Sequence, residues 1–117
     1  MANQKFYITT PIYYVNDVPH IGHSYTTVVA DVLARYHRLF GHEVKFLTGV
    51  DEHGQKVQQA TQKNGMEPQA YCDQMAERFR TIWKELNVSN DIFFRTTDDF
   101  HVKAVQACLQ QLFDKGE

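Results

Sequence analysis

Hydrophobic residues along the chain alternate between a pattern typical of strands and one typical of helices. The first apolar run, from about Lys5 to Tyr13, is nearly continuous and predicts a strand buried on both faces. From about Gly22 to Phe40, apolar residues recur three and four positions apart, which predicts a long helix with a broad apolar stripe. A second apolar run, from about Glu43 to Val50, predicts the next strand.

The second half of the chain predicts three more helices and one more strand. The helices are expected at about Gln55 to Lys63, Pro68 to Leu86, and from Thr97 or Asp98 to about Asp114. The last helix should turn Val102, Val105, Leu109, Leu112 and Phe113 inward. The strand is expected at Ile92 to Arg95, a short apolar run ahead of the last helix.

The predicted order of elements is β-α-β-α-α-β-α. This order is typical of an α/β chain with three parallel strands, the first half of a Rossmann-like doubly wound sheet. A strand, a crossover helix and a parallel strand form a right-handed unit, so the carboxyl ends of the strands lie at one edge. Ligands of such sheets bind at that edge, which directs attention to the residues that follow the first two strands.

Two histidines and a glycine mark the junction between the first strand and the first helix. After the turn at Asn16 and Asp17, the helical pattern opens with His20-Ile21-Gly22-His23. The first amides of a helix favour an anion, and a glycine allows a ligand close to the backbone. Either histidine alone is more often a surface or capping residue, but the whole string after a buried strand indicates phosphate binding.

The composition of the chain limits the classes of protein to which it can belong. The chain has 117 residues, 43% of them hydrophobic, enough for one domain with a core. A net charge of −2 gives no basic field of the kind that nucleic-acid binding produces. Cys72 and Cys108 lie far apart and are expected to be buried free thiols, and no metal site is predicted. Without an apolar run that could span a bilayer, we expect a cytoplasmic protein with no membrane partner.

The string His20-Ile21-Gly22-His23 resembles the HIGH signature of the class I aminoacyl-tRNA synthetases. The segments from Thr10 to Asn16 and from Thr48 to Gly54 resemble the methionyl-tRNA synthetase family in particular. This resemblance covers essentially the whole chain. It implies an enzyme that forms methionyl adenylate from methionine and ATP, with Mg²⁺ accompanying the ATP. It also implies transfer of the methionyl group to initiator and elongator tRNA(Met).

The resemblance implies roles for individual residues. Those expected to contact ATP are Tyr14, Val15, Asn16, His20, Gly22 and His23. Those expected to contact methionine are Ile12, Tyr14 and Asp51. His20 and His23 are the expected catalytic pair, donating to charge that develops on the phosphate oxygens, and Gly22 would lie against the adenine. Asp51 would pair with the substrate ammonium through a charge-assisted hydrogen bond.

Several of these residues also fit a purely structural role. Tyr14 is as consistent with a core aromatic residue, and Asp51 with a turn or helix cap. Glu52 and His53 are expected to stabilise the loop after the second strand. Asp31 is expected to be a helix-surface or capping charge.

The chain departs from the complete family in what it lacks. It has no KMSKS-like loop, no cysteine zinc knuckle of the connective insertion and no anticodon-binding domain. Residues 1–117 are therefore expected to be the N-terminal half of the catalytic domain, truncated before the connective insertion and inactive alone. Zinc is expected only in that missing insertion. Two alternatives stay open: a class I synthetase for another amino acid, and a non-enzymatic binding or assembly module with a synthetase-like half-fold.

Overall fold

A computed structural model describes residues 4–116, which form four strands and four helices. The strands are β1 (Lys5–Thr9), β2 (Tyr13–Tyr14), β3 (Glu43–Asp51) and β4 (Ile92–Arg95). The helices are α1 (Ile21–Leu39), α2 (Gln55–Asn64), α3 (Pro68–Glu85) and α4 (Asp99–Lys115). The predicted α/β class with a parallel sheet is confirmed.

Strand β3 is the central strand of the sheet, and all its partners run parallel to it. Leu47 faces Thr9 of β1 and Ile92 of β4, so these two strands lie on opposite edges of β3. Val50 faces Tyr13 of β2 and also pairs with β4, which places β2 on the same edge as β1. The sheet therefore has three strand positions, and β1 and β2 together fill the first.

The continuous first strand of the sequence prediction is interrupted in the structure. Pairing with β3 runs from Lys5 to Thr9 and resumes at Tyr13. From the Thr9–Leu47 pair to the Tyr13–Val50 pair, this segment advances by four residues while β3 advances by three. Pro11 lies in the gap, and its ring nitrogen has no hydrogen to donate to the ladder. The prediction of burial on both faces was also wrong, because β1 alternates in exposure and Tyr7 is 64% exposed.

Most of the core lies between helix α3 and the carboxyl-terminal half of the sheet. Its buried members are Tyr13, Val15, Val50, Val57, Tyr71, Cys72, Met75, Ala76, Phe79 and Trp83. A smaller cluster packs α1 on β3 through Ala30, Ala34 and Phe46. Helix α3 begins with Pro68, and the Glu67 carboxylate accepts hydrogen bonds from the next free amides, which is why the chain enters this helix at a fixed point.

The apolar residues predicted to face inward on α4 are largely exposed, and so is the broad apolar stripe predicted for α1. The buried residues of α1 are the small or polar ones, Thr27, Ala30, Asp31 and Ala34. No residue of α4 is buried among those the structure describes. A helical period identifies the apolar face of a helix but not the element that would cover it, which is why this prediction was wrong.

Asp31 is a buried structural charge, which corrects the expectation of a helix-surface or capping charge. Its carboxylate accepts hydrogen bonds from the Ser89 amide at 2.7 Å and from Arg35 Nε at 2.6 Å. Burial acts to raise the pKa of Asp31, but the hydrogen bonds from Ser89 and Arg35 outweigh it and the pKa is lowered. The carboxylate thus fastens α1 to the loop before β4.

Two further expectations concern the cysteines and the membrane. Cys72 is buried as expected, but Cys108 is exposed. Within residues 4–116, no helix combines the length and the apolar character needed to cross a bilayer. The same residues contain no group of three or more potential metal ligands among histidine, cysteine, aspartate and glutamate.

Gly49 lies where the backbones of β3 and β4 approach too closely for a side chain. A Cβ at this position would lie 2.1 Å from the carbonyl oxygen of Phe94. Gly49→Ala should therefore lower the free energy of unfolding by about 1–3 kcal/mol, because β4 must shift to make room. Urea unfolding measures this, with Lys45→Ala, an exposed site on the same strand, as the control. Equal stability of the two variants would contradict the prediction.

Candidate functional site

A cleft opens where β2 ends and α1 begins. Its volume is about 300 Å³, and its lining residues are Ile12, Tyr13, Tyr14, Asn16, Asp17, His20 and His23. The turn after β2 is held to β3, since the Val15 amide donates to the Asp51 carbonyl at 3.3 Å. The cleft therefore lies at the carboxyl edge of the sheet, as the sequence predicted.

The two histidines form a reciprocal cap on the first turn of α1. His20 Nδ1 accepts a hydrogen bond from the Gly22 amide at 3.1 Å, and His23 Nδ1 accepts one from the His20 amide at 3.2 Å. This is the geometry of a capping box, built here from two imidazoles. The rings stack with their centroids 3.7 Å apart, so both are held in one orientation.

This cap determines which ring nitrogen can act on a ligand. Because Nδ1 is the acceptor in each ring, the hydrogen of a neutral imidazole must be on Nε2. Burial, followed by the neighbouring His20, lowers the pKa of His23, which favours its neutral form. The pair can therefore present two Nε2–H donors, while the Gly22 amide is already occupied and is not a free donor.

The absence of a side chain on Gly22 leaves room for the histidine cap. A Cβ on Gly22 would lie 3.0 Å from Cε1 and 3.1 Å from Nδ1 of His20. That spacing is tighter than ordinary van der Waals contact, so a side chain there would push the His20 ring away from the amide that it caps. The glycine thus has a structural role in addition to the expected contact with adenine.

Strand alternation separates the roles of the residues in the first motif. Tyr13 is buried, and its hydroxyl lies 2.9 Å from Thr27 Oγ1 while its ring contacts His23. Tyr14 is 53% exposed, so the alternative of a core aromatic residue does not hold for it. Val15 is completely buried, backbone included, and is not among the residues that line the cleft. Tyr13 was not predicted to support His23, although the period of two predicts that Tyr13 and Tyr14 face opposite ways.

Asp51 lies beside Tyr14 in the register but does not line the cleft. Its Oδ1 accepts from the His53 amide at 3.2 Å and lies 3.4 Å from the hydroxyl of Thr96, just beyond β4. The structure therefore brings together Ile12, Tyr14, Asn16 and the two histidines, and directs the Asp51 carboxylate toward β4.

Comparison with known proteins identifies the family. Residues 6–117 match the model of the tRNA synthetases class I (M). The chain belongs to this family. A methionine–tRNA ligase of Thermotoga maritima is 58% identical over 113 residues, which cover 97% of this chain and 18% of that protein. One from Rickettsia bellii is 56% identical over 114 residues, covering 97% of this chain and 22% of its own length. The chain thus spans about a fifth of these relatives.

Solved structures of the family and of a more distant synthetase have the same fold. Mycobacterium tuberculosis methionyl-tRNA synthetase in complex with methionyl-adenylate is 38% identical, with a TM-score of 0.94 over 97% of this chain and 22% of that one. A LeuRS ternary complex from Agrobacterium radiobacter has a TM-score of 0.90 at 24% identity, over 99% of this chain and 15% of that one. The second likeness concerns the fold alone.

In this member of the class I synthetases, the loop after β3 is held by a buried ion pair. The Glu52 side chain is fully buried and accepts from Arg95 Nε at 2.8 Å. It also accepts from the Thr97 hydroxyl, and Arg95 extends the network to Asp73 on α3. These contacts agree with the loop-stabilising role expected for Glu52. Arg95 was not among the predicted site residues, because nothing local indicates that it meets a carboxylate just beyond the end of β3.

The lowered pKa of His23 predicts a loss of stability in mild acid. In the unfolded chain His23 has its ordinary pKa of 6.5, so that state binds a proton first as the pH falls. The stabilisation is complete above that value and is lost as the pH falls through the lower pKa of the folded state. His23→Gln keeps an acceptor for the His20 amide but cannot titrate. The fall in free energy of unfolding between about pH 7.5 and about pH 5.5 should therefore be smaller in this variant.

Urea unfolding at the two pH values measures the difference. His101→Gln, which removes a histidine of α4 outside the cleft, should keep the part of the fall that His23 causes. If His23→Gln loses as much stability in acid as the unchanged chain, His23 has no such role.

Proposed function

We propose that this chain supplies the ATP-binding and part of the methionine-binding surface of a cytoplasmic methionine–tRNA ligase. The observation that carries the proposal is the histidine cap, which holds two Nε2 donors at the mouth of a cleft at the sheet's carboxyl edge. Membership of the class I family with the methionine ligases supports the choice of amino acid. The likeness to a leucine enzyme extends only to the fold.

Catalysis of the proposed reaction depends on the positions of the reacting groups and on the charge that they develop. The methionine carboxylate attacks the α-phosphate of ATP, and pyrophosphate leaves as methionyl adenylate forms. A carboxylate that is already ionised needs no general base, so catalysis depends on holding the reactants in line and stabilising charge on the phosphate oxygens. His20 and His23 would supply donors for that charge, with their orientation fixed before the substrate arrives.

Other partners of the reaction follow from the same proposal. Mg²⁺ would enter bound to the ATP phosphates as part of the substrate, since residues 4–116 offer no cluster of three potential metal ligands. Asn16 would contact the nucleotide, and Ile12 and Tyr14 would line the methionine side of the cleft. The acceptors of the methionyl group would be initiator and elongator tRNA(Met). The 117 residues alone should form little adenylate, because they contain no KMSKS-like loop.

A hybrid enzyme tests the proposal directly. The hybrid is the Thermotoga maritima ligase with its matching segment, which is 58% identical, replaced by this chain. The proposal predicts methionine-dependent exchange of pyrophosphate into ATP, and no exchange with leucine in place of methionine. A folded hybrid without exchange would contradict it and would favour a non-enzymatic module.

Removing either histidine donor should reduce turnover in the hybrid. We expect His20→Ala and His23→Ala each to lower kcat for adenylate formation by roughly 10²–10³-fold, with little change in KM for methionine. His20→Asn separates capping from catalysis, because asparagine is a good helix cap but cannot place a donor where Nε2 lies. It should restore stability and leave kcat low.

The control for these variants is His42→Ala, since His42 lies before β3 and contacts His37 rather than the cleft. Exchange kinetics with saturating ATP and varied methionine separate kcat from KM. Full kcat in both His20→Ala and His23→Ala would leave the pair with a capping role only.

The charge of Asp51 should matter for methionine and not for ATP. Asp51→Asn keeps the size of the side chain and its acceptor oxygen but removes the partner of the substrate ammonium. Losing one member of a buried charge pair costs on the order of 2–5 kcal/mol, so methionine binding should weaken strongly. ATP binding should change little.

An analogue of methionine without the amine provides the control for Asp51→Asn. Its binding to the hybrid should be nearly the same with aspartate or asparagine at this position. If the substitution weakens the analogue as much as it weakens methionine, Asp51 is structural and the amino-acid pocket lies elsewhere.

A further inference from the structure

The hydroxyl of Thr96 connects three consecutive residues at the end of β3. Thr96 Oγ1 accepts a hydrogen bond from the Glu52 amide at 2.9 Å. It lies 2.9 Å from His53 Nδ1 and 3.4 Å from Asp51 Oδ1. Because Thr96 follows β4, this one oxygen ties the ends of two parallel strands together.

The number of hydrogens on these atoms limits how they can be arranged. A hydroxyl has one hydrogen to donate and can accept two hydrogen bonds. The Glu52 amide takes one acceptor position. If His53 Nδ1 carries a hydrogen, it takes the other, and the hydroxyl hydrogen is left for Asp51. If Nδ1 is bare, it competes with Asp51 for that hydrogen, and it is the nearer acceptor.

The Asp51 carboxylate is held through one of its two oxygens, Oδ1. Oδ1 accepts from the His53 amide and lies within reach of the Thr96 hydroxyl. The described part of the chain gives Oδ2 no hydrogen-bond donor and gives the carboxylate no ion-pair partner. A second donor on Oδ1 would therefore fix the plane of the carboxylate and leave Oδ2 open to a ligand.

We propose that His53 and Thr96 are positioning residues for Asp51. His53 in its Nδ1–H form donates to Thr96, Thr96 donates to Asp51 Oδ1, and Oδ2 is left free for the substrate ammonium. The inference deepens the proposed function and rests on it, since it assumes that Asp51 binds methionine. It adds two residues that act through Asp51 and do not touch the substrate.

Variants of Thr96 in the hybrid enzyme test the hydroxyl. Thr96→Val keeps the shape of the side chain but removes the hydroxyl, so KM for methionine should rise by roughly 10-fold, the effect of one hydrogen bond to a charged group. The kcat and the KM for ATP should stay near those of the unsubstituted hybrid. Thr96→Ser restores the donor and should restore the KM for methionine.

Thr97→Val is the matched control. The Thr97 hydroxyl donates to the Glu52 carboxylate and not to Asp51, so its loss should reduce stability without raising the KM for methionine. A rise in KM in both valine variants would indicate general disturbance of the loop and would overturn the assignment.

Variants of His53 give a second test at an exposed residue, where a substitution disturbs no buried packing. His53→Asn can place an amide N–H near the position of Nδ1 and should keep a low KM for methionine. His53→Phe has no donor and should raise the KM as Thr96→Val does. Equal KM values in the two variants would exclude a role for the Nδ1 hydrogen.

The tautomer of His53 can be read without any activity. Nitrogen-15 spectra of the 117-residue chain with labelled histidine should show hydrogen on Nδ1 of His53. A bare Nδ1 would overturn the proposal.

The variants also separate the two levels of inference. If Asp51→Asn leaves the KM for methionine unchanged, the proposed function of Asp51 fails. If Asp51→Asn raises it and Thr96→Val does not, only the positioning role fails.

Discussion

Parallel pairing on both edges of β3 is the constraint on which the rest of the structure depends. Since β2, β3 and β4 run in the same direction, their carboxyl ends meet at one edge of the sheet. Tyr14, Asp51 and Thr96 become neighbours there although Asp51 and Thr96 are 45 positions apart in sequence. The close approach at Gly49 is what lets β4 join this edge, because a side chain there would collide with the β4 backbone. The location of the site thus depends first on the direction of the strands, and only then on the individual side chains.

The histidine cap shows how the same residues can serve the fold and the chemistry together. A helix begun by His20 needs acceptors for its first amides, and the Nδ1 atoms supply them. Using Nδ1 for the backbone leaves Nε2 as the donor on each ring, directed by a contact that exists before any ligand binds. Preorganised donors lose little free energy to reorientation when charge develops in front of them. The cap therefore contributes to stability and to the proposed catalysis through different nitrogens of each ring.

The sequence predicted the elements closely and their environments less well. Its boundary for α2 differs by one residue at the end, and β4 was placed at Ile92–Arg95 as observed. Periodicity and turn residues determine such boundaries locally. The break at Pro11 has a local cause, since proline has no hydrogen to donate to the β3 ladder, but the continuous apolar run hid it. The buried Asp31 depends on a partner elsewhere, Ser89, which no local pattern reveals. The exposure of the apolar stripes on α1 and α4 could not be predicted for the same reason, since a helical pattern identifies the apolar face of a helix but not the element that packs against it.

In the candidate site, too, some features could be predicted from the local sequence and others depend on distant partners. Two neighbouring carboxylates show why. Asp51 and Glu52 are adjacent at the end of β3, and adjacent residues of a strand point in opposite directions. Glu52 turns into the protein, where burial of its charge is compensated by Arg95 and by the Thr97 hydroxyl. Arg95 is therefore committed to Glu52 and Asp73, and within residues 4–116 Asp51 has no cation of its own. The motif identified Asp51, but only the position of Arg95 explains why its charge remains available. A ligand ammonium is the complementary group that such a partly satisfied carboxylate would bind.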